Sequence, residues 1–172
     1  LRLQVESLLR AREGVSAPVA KAADATRRQV VRLTALVNTL LDVSRLNESR
    51  LQLELEPVDL SALVREVVSR FAAETELSRA RIRVDAAAGV SGRWDRLRLE
   101  QVLTNLVSNA LKYGEGKPIS LRVGTEGEIA RIEVVDQGIG IAPGEQRRIF
   151  ERFERGRATR GYGGFGLGLW IT

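Results

Sequence analysis

The chain has 172 residues, 27 of them basic and 22 acidic, for a net charge of +5, and contains neither cysteine nor histidine. That length suffices for one full domain, or for a small domain with a helical appendage, and for a buried core. Without cysteine there is no disulfide framework or thiolate metal site; no apolar run is long enough to cross a bilayer; and a mild, dispersed basic excess reads as a solvated surface rather than a nucleic-acid footprint.

The opening "LRLQVESLLR" carries charges too often to be the apolar part of a signal peptide, and with Leu1 in place of a methionine the chain is expected to be a piece of something longer. Leu1, Val5 and Leu8 share one face of a short helix that Gly14 ends. From Pro18 to Asn47 a longer helix is expected, because Ala23, Thr26, Val30, Leu33, Val37, Leu40 and Ser44 recur at alternating steps of three and four. Two such helices can fold back as a hairpin. A hairpin cannot bury both sides of its seam, so pairing with a second copy into a four-helix bundle completes it.

After "LNESR" the period changes. "LQLELEPVDL" alternates like a half-buried strand, Asp59 and Ser61 open a helix through Phe71, and "ARIRVDA" reads as a second strand. A helix from Leu97 to Tyr113 follows, and "ISLRVGTEGEIARIEVVD" predicts two strands joined by a turn around Gly124 to Gly127. A short helix is expected from Pro143 to about Phe153, then a basic, glycine-rich loop, then a helix beginning near Leu167. The predicted class is α+β: a helical hairpin at 1–50, then an α/β two-layer sandwich at 51–172, with a mixed sheet and helices on one face.

Three stretches could carry chemistry. On the helix through 113, Leu99, Val102, Leu103, Leu106, Val107 and Ala110 share the sheet-facing side. Asn105, Asn109 and Lys112 fall within about 60° of one another on the opposite side. Asparagine is a poor helix former, so two at i and i+4 either decorate a solvated face or serve a Mg²⁺–phosphate site, where an amide oxygen is a suitable hard ligand and Lys112 a point charge. In "IEVVDQGIGIAP", Asp136 ends a strand and can accept from an exocyclic amine, while Gly138 and Gly140 let a flat ring approach the backbone; an ordinary turn is the plainer reading. "GYGGFG" at 161–166 formally fits G-x-G-x-x-G but follows a loop instead of a strand, so a dinucleotide fingerprint is rejected, and no P-loop pattern is present. The better parse is Gly164, Gly166 and Gly168 leading into a helix, with backbone amides exposed to a triphosphate.

In order, these pieces resemble the catalytic core of sensor histidine kinases, within the ATPase superfamily that includes gyrase and the large heat-shock chaperone. "NLVSNALKY" is similar to that family's N box, "DQGIG" to its G1 box, "IFERFER" to its F box and "GGFGLGL" to its G2 box, and "LLDVSRLNESRLQLELEPVDL" to the junction between dimerisation helices and ATP-binding domain. The resemblance implies ATP and Mg²⁺ as cofactors. It would place Asp136 on the adenine amino group, Gly138 and Gly140 around the base, and Asn109 on the metal. Asn105, Lys112 and Tyr113 would line the nucleotide, Arg155 would reach the γ-phosphate, and Gly164, Gly166, Leu167 and Gly168 would form the phosphate cradle. Residues 156–163 would be a lid ordered around ligand, and Phe150 and Phe153 would dock that lid or pack in the core.

Three features depart from the family pattern. Phe165 stands where a small residue is usual, and the family's acceptor histidine has no counterpart here, so it is expected upstream of Leu1; "LGLWIT" likewise stops short of the family's C-terminal elements. The resemblance thus implies a histidine protein kinase of a two-component system, with no catalytic residue in this stretch. It would be a homodimer through the N-terminal helices, partnered by a response-regulator receiver domain. It would bind no nucleic acid, act in the cytoplasm, and touch a membrane only through parts outside this stretch. A non-catalytic ATP-sensing dimerisation module, and a related protein-serine kinase, are the alternatives; the residues before Leu1 discriminate the first.

Overall fold

The computed structural model describes residues 52–154, 156 and 166–172, together with the helical positions Val19, Ala22, Ala23, Ala25, Thr26, Gln29 and Val30. The chain divides into two compact units, Leu1–Leu51 and Gln52–Thr172. In the first, the Thr26 hydroxyl donates to the Ala22 carbonyl at 2.9 Å, one helical turn back. The rest of the expected hairpin, and the bundle seam other than Ala23, Thr26 and Val30, lies outside the described residues. No helix among the described residues is long and apolar enough to cross a membrane.

The second unit begins with strand β1, Glu56–Asp59, and helix α1, Leu60–Ser69. Asp59 starts α1 by accepting from Ala62 N–H at 2.9 Å, the side-chain cap that an exposed helix N-terminus needs. Leu60, Leu63, Val64 and Val67 are buried on one face at helical spacing. Ser61, also buried, donates its hydroxyl to the Ala87 carbonyl at 2.6 Å. A second helix, α2, Ala72–Ser78, buries nothing and ends at Arg79 in the left-handed region, φ 57°. Strand β2, Ile82–Ala86, strand β3, Ser91–Trp94, and helix α3, Arg96–Tyr113, follow. Strands β4, Ile119–Glu126, and β5, Ile129–Val135, then a 3₁₀ turn at Arg148–Phe150 and helix α4, Gly168–Ile171, complete it.

There are two sheets, not one. β2 pairs parallel with β4, and β4 antiparallel with β5, in the order β2-β4-β5; β1 and β3 form a separate antiparallel ribbon in the register Glu56↔Trp94 to Asp59↔Ser91. Ile119, Leu121 and Val123 alternate into the core from β4, against Leu63, Val64 and Val67 of α1 and Leu103, Val107 and Ala110 of α3. Helices over a sheet, an α/β two-layer arrangement, match the expectation for this part of the chain.

Several boundaries differ from the sequence reading. The alternation at 52–55 makes no strand, since β3 offers only four partners. Its backbone is tied instead by side chains, Glu54 N–H to Asp95 at 3.1 Å and Leu55 C=O to Arg93 at 3.2 Å. β3 was not foreseen: Gly92 leaves room there for the Trp94 ring, which an added Cβ would meet at 2.5 Å. α2 was not foreseen either, for the helix through Phe71 stops at Ser69 and a new one starts at Ala72. The β4–β5 turn falls at Gly127, φ 60°, whereas Gly124 sits inside β4 opposite Arg131. Over 143–153 only the 3₁₀ turn forms; Gly144 disfavours helix, and Phe150 and Phe153 are exposed, so no apolar face holds a longer one.

Candidate functional site

Helix α3 is fixed at both ends. Asp95 caps it by accepting from Arg98 N–H at 3.0 Å, and Gly114 N–H closes it on the Ala110 carbonyl at 2.9 Å. Arg98 N–H, opposed by burial and helped by Glu54 N–H, holds the Asp95 carboxyl below the usual aspartate range. The buried stripe is Leu103, Val107 and Ala110, with Leu99 and Leu111 beside it; Val102 and Leu106, expected on the same face, are half-buried. That leaves Asn105, Asn109, Lys112 and Tyr113, all half-buried, on the flank and C-terminal turn. The Lys112 ammonium lies 4.7 Å from the centroid of the Tyr113 ring.

Asp136 follows β5 directly, and its loop docks on the end of α3. Asp136 Oδ1 accepts from Gly138 N–H at 2.9 Å, and Ile139 N–H donates to the Tyr113 carbonyl at 3.1 Å. A Cβ on Gly138 would lie 2.0 Å from the Tyr113 carbonyl oxygen and 2.7 Å from the Gly114 Cα, so only glycine permits this approach. Gly140 has open space around it and a φ of 67°, so its glycine serves backbone conformation. Gly114, which the sequence reading did not single out, belongs here too, its added Cβ falling 3.9 Å from Asp136 Cβ. Its position just after a run of helix residues was the available signal.

The glycine run reaches the same helix from the other side. Gly166, φ 68°, sits on the backbone of Phe153 and Glu154, where an added Cβ would come within 2.8 Å of three atoms; Leu167 is buried. The Gly168 carbonyl accepts from Asn105 Nδ2 at 3.2 Å and from the Thr172 hydroxyl at 2.9 Å. Arg152, another residue the sequence reading passed over, stacks over the Trp170 ring of α4 at 4.4 Å. Arg148 grips both oxygens of Glu154, at 3.0 and 2.9 Å, and that bond raises its already high pKa. Asn105, Asn109, Lys112, Tyr113, Asp136, Gly138, Gly140, Gly166, Leu167 and Gly168 are therefore carried by elements in mutual contact around α3. Arg155, Gly164 and, apart from Gly156, the segment 156–163 lie outside the described residues.

No group of three or more Asp, Glu, His or Cys among the described residues could hold a metal unaided. A divalent cation at Asn109 would need negative charge from its ligand, which is the situation of Mg²⁺ on a polyphosphate.

Residues 94–172 match the family described as histidine kinase-, DNA gyrase B-, and HSP90-like ATPase. Over 175 aligned residues the chain is 35% identical to the sensor-like histidine kinase SenX3 of Mycobacterium tuberculosis, covering 100% of this chain and 42% of that protein. It is 32% identical over 157 residues to the sensor histidine kinase MtrB of Mycolicibacterium paratuberculosis, covering 90% of this chain and 28% of MtrB. The crystal structure of full-length ShkA in complex with AMPPNP superposes with a TM-score of 0.75 at 31% identity, over 91% of this chain and 33% of that one. The chain thus spans less than half the length of each of these relatives.

Proposed function

We propose, because residues 94–172 match the histidine kinase-, DNA gyrase B- and HSP90-like ATPase family, that this chain is the ATP-binding core of a two-component sensor histidine kinase. The observation that carries the reading is the docking of the Asp136–Gly140 loop on the last turn of α3. It brings a carboxylate fixed by Gly138 N–H beside the helix that bears Asn109 and Lys112. Asp136 Oδ2 has no hydrogen-bond partner among the described residues, and is free to accept from the exocyclic amine of adenine. Gly140 has open space where a flat ring can approach the backbone, whereas Gly138, expected to do the same, is occupied by the Tyr113 and Gly114 backbone and serves to seat the loop.

The Asn109 side chain, which also has no hydrogen-bond partner among the described residues, offers a neutral oxygen to Mg²⁺. Lys112 adds positive charge near the phosphates, with Tyr113 along the nucleotide. By the resemblance, Gly164, Gly166, Leu167 and Gly168 belong to the phosphate cradle and Arg155 to the γ-phosphate. The residues fit a group whose charge they complement without a carboxylate cage. Bound Mg²⁺·ATP supplies the transferable phosphoryl group and the counter-charge; the chain's own residues hold and orient it, and such transfers depend mainly on positioning and electrostatics.

The chain has no histidine, so the phosphoryl acceptor belongs to a segment outside these 172 residues. From there the phosphoryl group would pass to a response-regulator aspartate. Homodimerisation through the N-terminal helices and a cytoplasmic location complete the reading. Calorimetric titration with a non-hydrolysable ATP analogue tests the metal assignment. In the wild type Mg²⁺ should tighten binding, and Asn109→Ala should abolish that gain with the thermal midpoint unchanged. An Asn109→Ala protein that still binds tighter with Mg²⁺ would refute the role given to Asn109.

A further inference from the structure

The two asparagines of α3 are not equivalent. The Asn109 side chain has no hydrogen-bond partner among the described residues, whereas Asn105 spends its amide nitrogen on the Gly168 carbonyl, 63 residues further along the chain. Helix α4 has only four residues and cannot hold itself in place. It is held by Leu167, 2% exposed, by Gly166 seated on Phe153 and Glu154, by Arg152 on Trp170, and by Asn105. Asn105 ties α4 to α3, the helix of Asn109 and Lys112, through a side-chain hydrogen bond. An added Cβ on Gly168 would lie 3.6 Å from the Asn105 amide carbon and oxygen, so the two are in packing contact as well.

We propose that Asn105 is a positioning residue, which locks α4 against α3 before any ligand arrives and so sets the Gly166–Gly168 backbone in register with Asn109. The inference rests on the nucleotide-site reading above and refines it. A cradle already in place spares the ordering cost that binding would otherwise meet. An amide suits this role because its N–H donates to a carbonyl, while aspartate of the same shape presents only acceptors there.

The test is ¹H–¹⁵N NMR of the nucleotide-free chain, which has two tryptophans whose indole signals Trp94→Phe distinguishes. In Asn105→Asp, and equally in Asn105→Ala, the Trp170 indole peak should move toward its position in the denatured chain. The Trp94 peak, from the β1–β3 ribbon, should stay and so certify that the variant is folded. Affinity for the ATP analogue should fall about tenfold, the scale of one lost hydrogen bond. A folded variant with weakened affinity but an unmoved Trp170 peak would overturn the proposal and leave Asn105 as a ligand contact alone. If the wild type bound no nucleotide while the Trp170 shift persisted in the variants, the nucleotide reading would fall and the positioning contact would stand.

Discussion

At Gly138 the lack of a side chain decides how closely two elements can meet. The Tyr113 carbonyl oxygen would lie 2.0 Å from a Cβ there, inside any tolerable contact, and both partners are backbone. Gly138→Ala should therefore push the Asp136 loop off α3, costing about 2 kcal/mol in denaturant unfolding, the scale of overpacking, and weakening nucleotide binding with it. An unchanged midpoint would show that the loop does not dock as described. Gly140→Ala should act differently, through strain at φ 67° in open space, and cost about 1 kcal/mol. Asp136 and Gly138 were legible as positions in a D-x-G-x-G pattern, although Gly138 was expected to admit a flat ring. Their partner was not, because a backbone carbonyl 25 residues away (138 − 113) leaves no mark on side-chain identity. The Asn105–Gly168 bond escaped for the same reason.

Helix α3 is the element on which the site depends, and its cap is shared. One Asp95 oxygen takes Arg98 N–H and the other takes Glu54 N–H, two residues into the second unit, so a single carboxylate ties the incoming chain to the helix start. Asp95→Ala should destabilise by about 1 kcal/mol at pH 7, the usual worth of an N-cap. Because folding lowers the Asp95 pKa, its ionised form contributes stability above the ordinary aspartate value and loses it as pH falls through the lower folded value. The gap between wild type and Asp95→Ala should thus narrow only below about pH 4, and a gap independent of pH down to about 2 would contradict this. Leu103→Ala, at a fully buried position between α3 and β4, should cost about 3 kcal/mol in the same assay. Strong periodicity made α3, β4 and β5 readable. α2, with nothing buried, gives no such signal, and the residues of 143–153 look helical by composition yet have no core to fold against.

Across the second unit, α1 and α3 are joined on the surface by Glu66, Arg70, Arg96 and Glu100, each basic residue bonding both acidic ones. Arg70, then Arg96, holds Glu66 below its ordinary pKa; exposed as these pairs are, they secure register while the apolar core supplies the stability. The architecture of this unit was legible because each layer announces its period, and the proposed function rests on four short motifs in order, whose described residues lie on elements in contact around one helix. The separation into two sheets was not, since the sequence does not say which strands pair. The central claim is that the nucleotide base sits at Asp136. It is tested most directly by calorimetric titration of the wild type and Asp136→Asn with a non-hydrolysable ATP analogue in Mg²⁺. Removing the charge from that hydrogen bond should cost about 2 kcal/mol, some thirtyfold in affinity. Equal affinity in two folded proteins would mean that the base binds elsewhere.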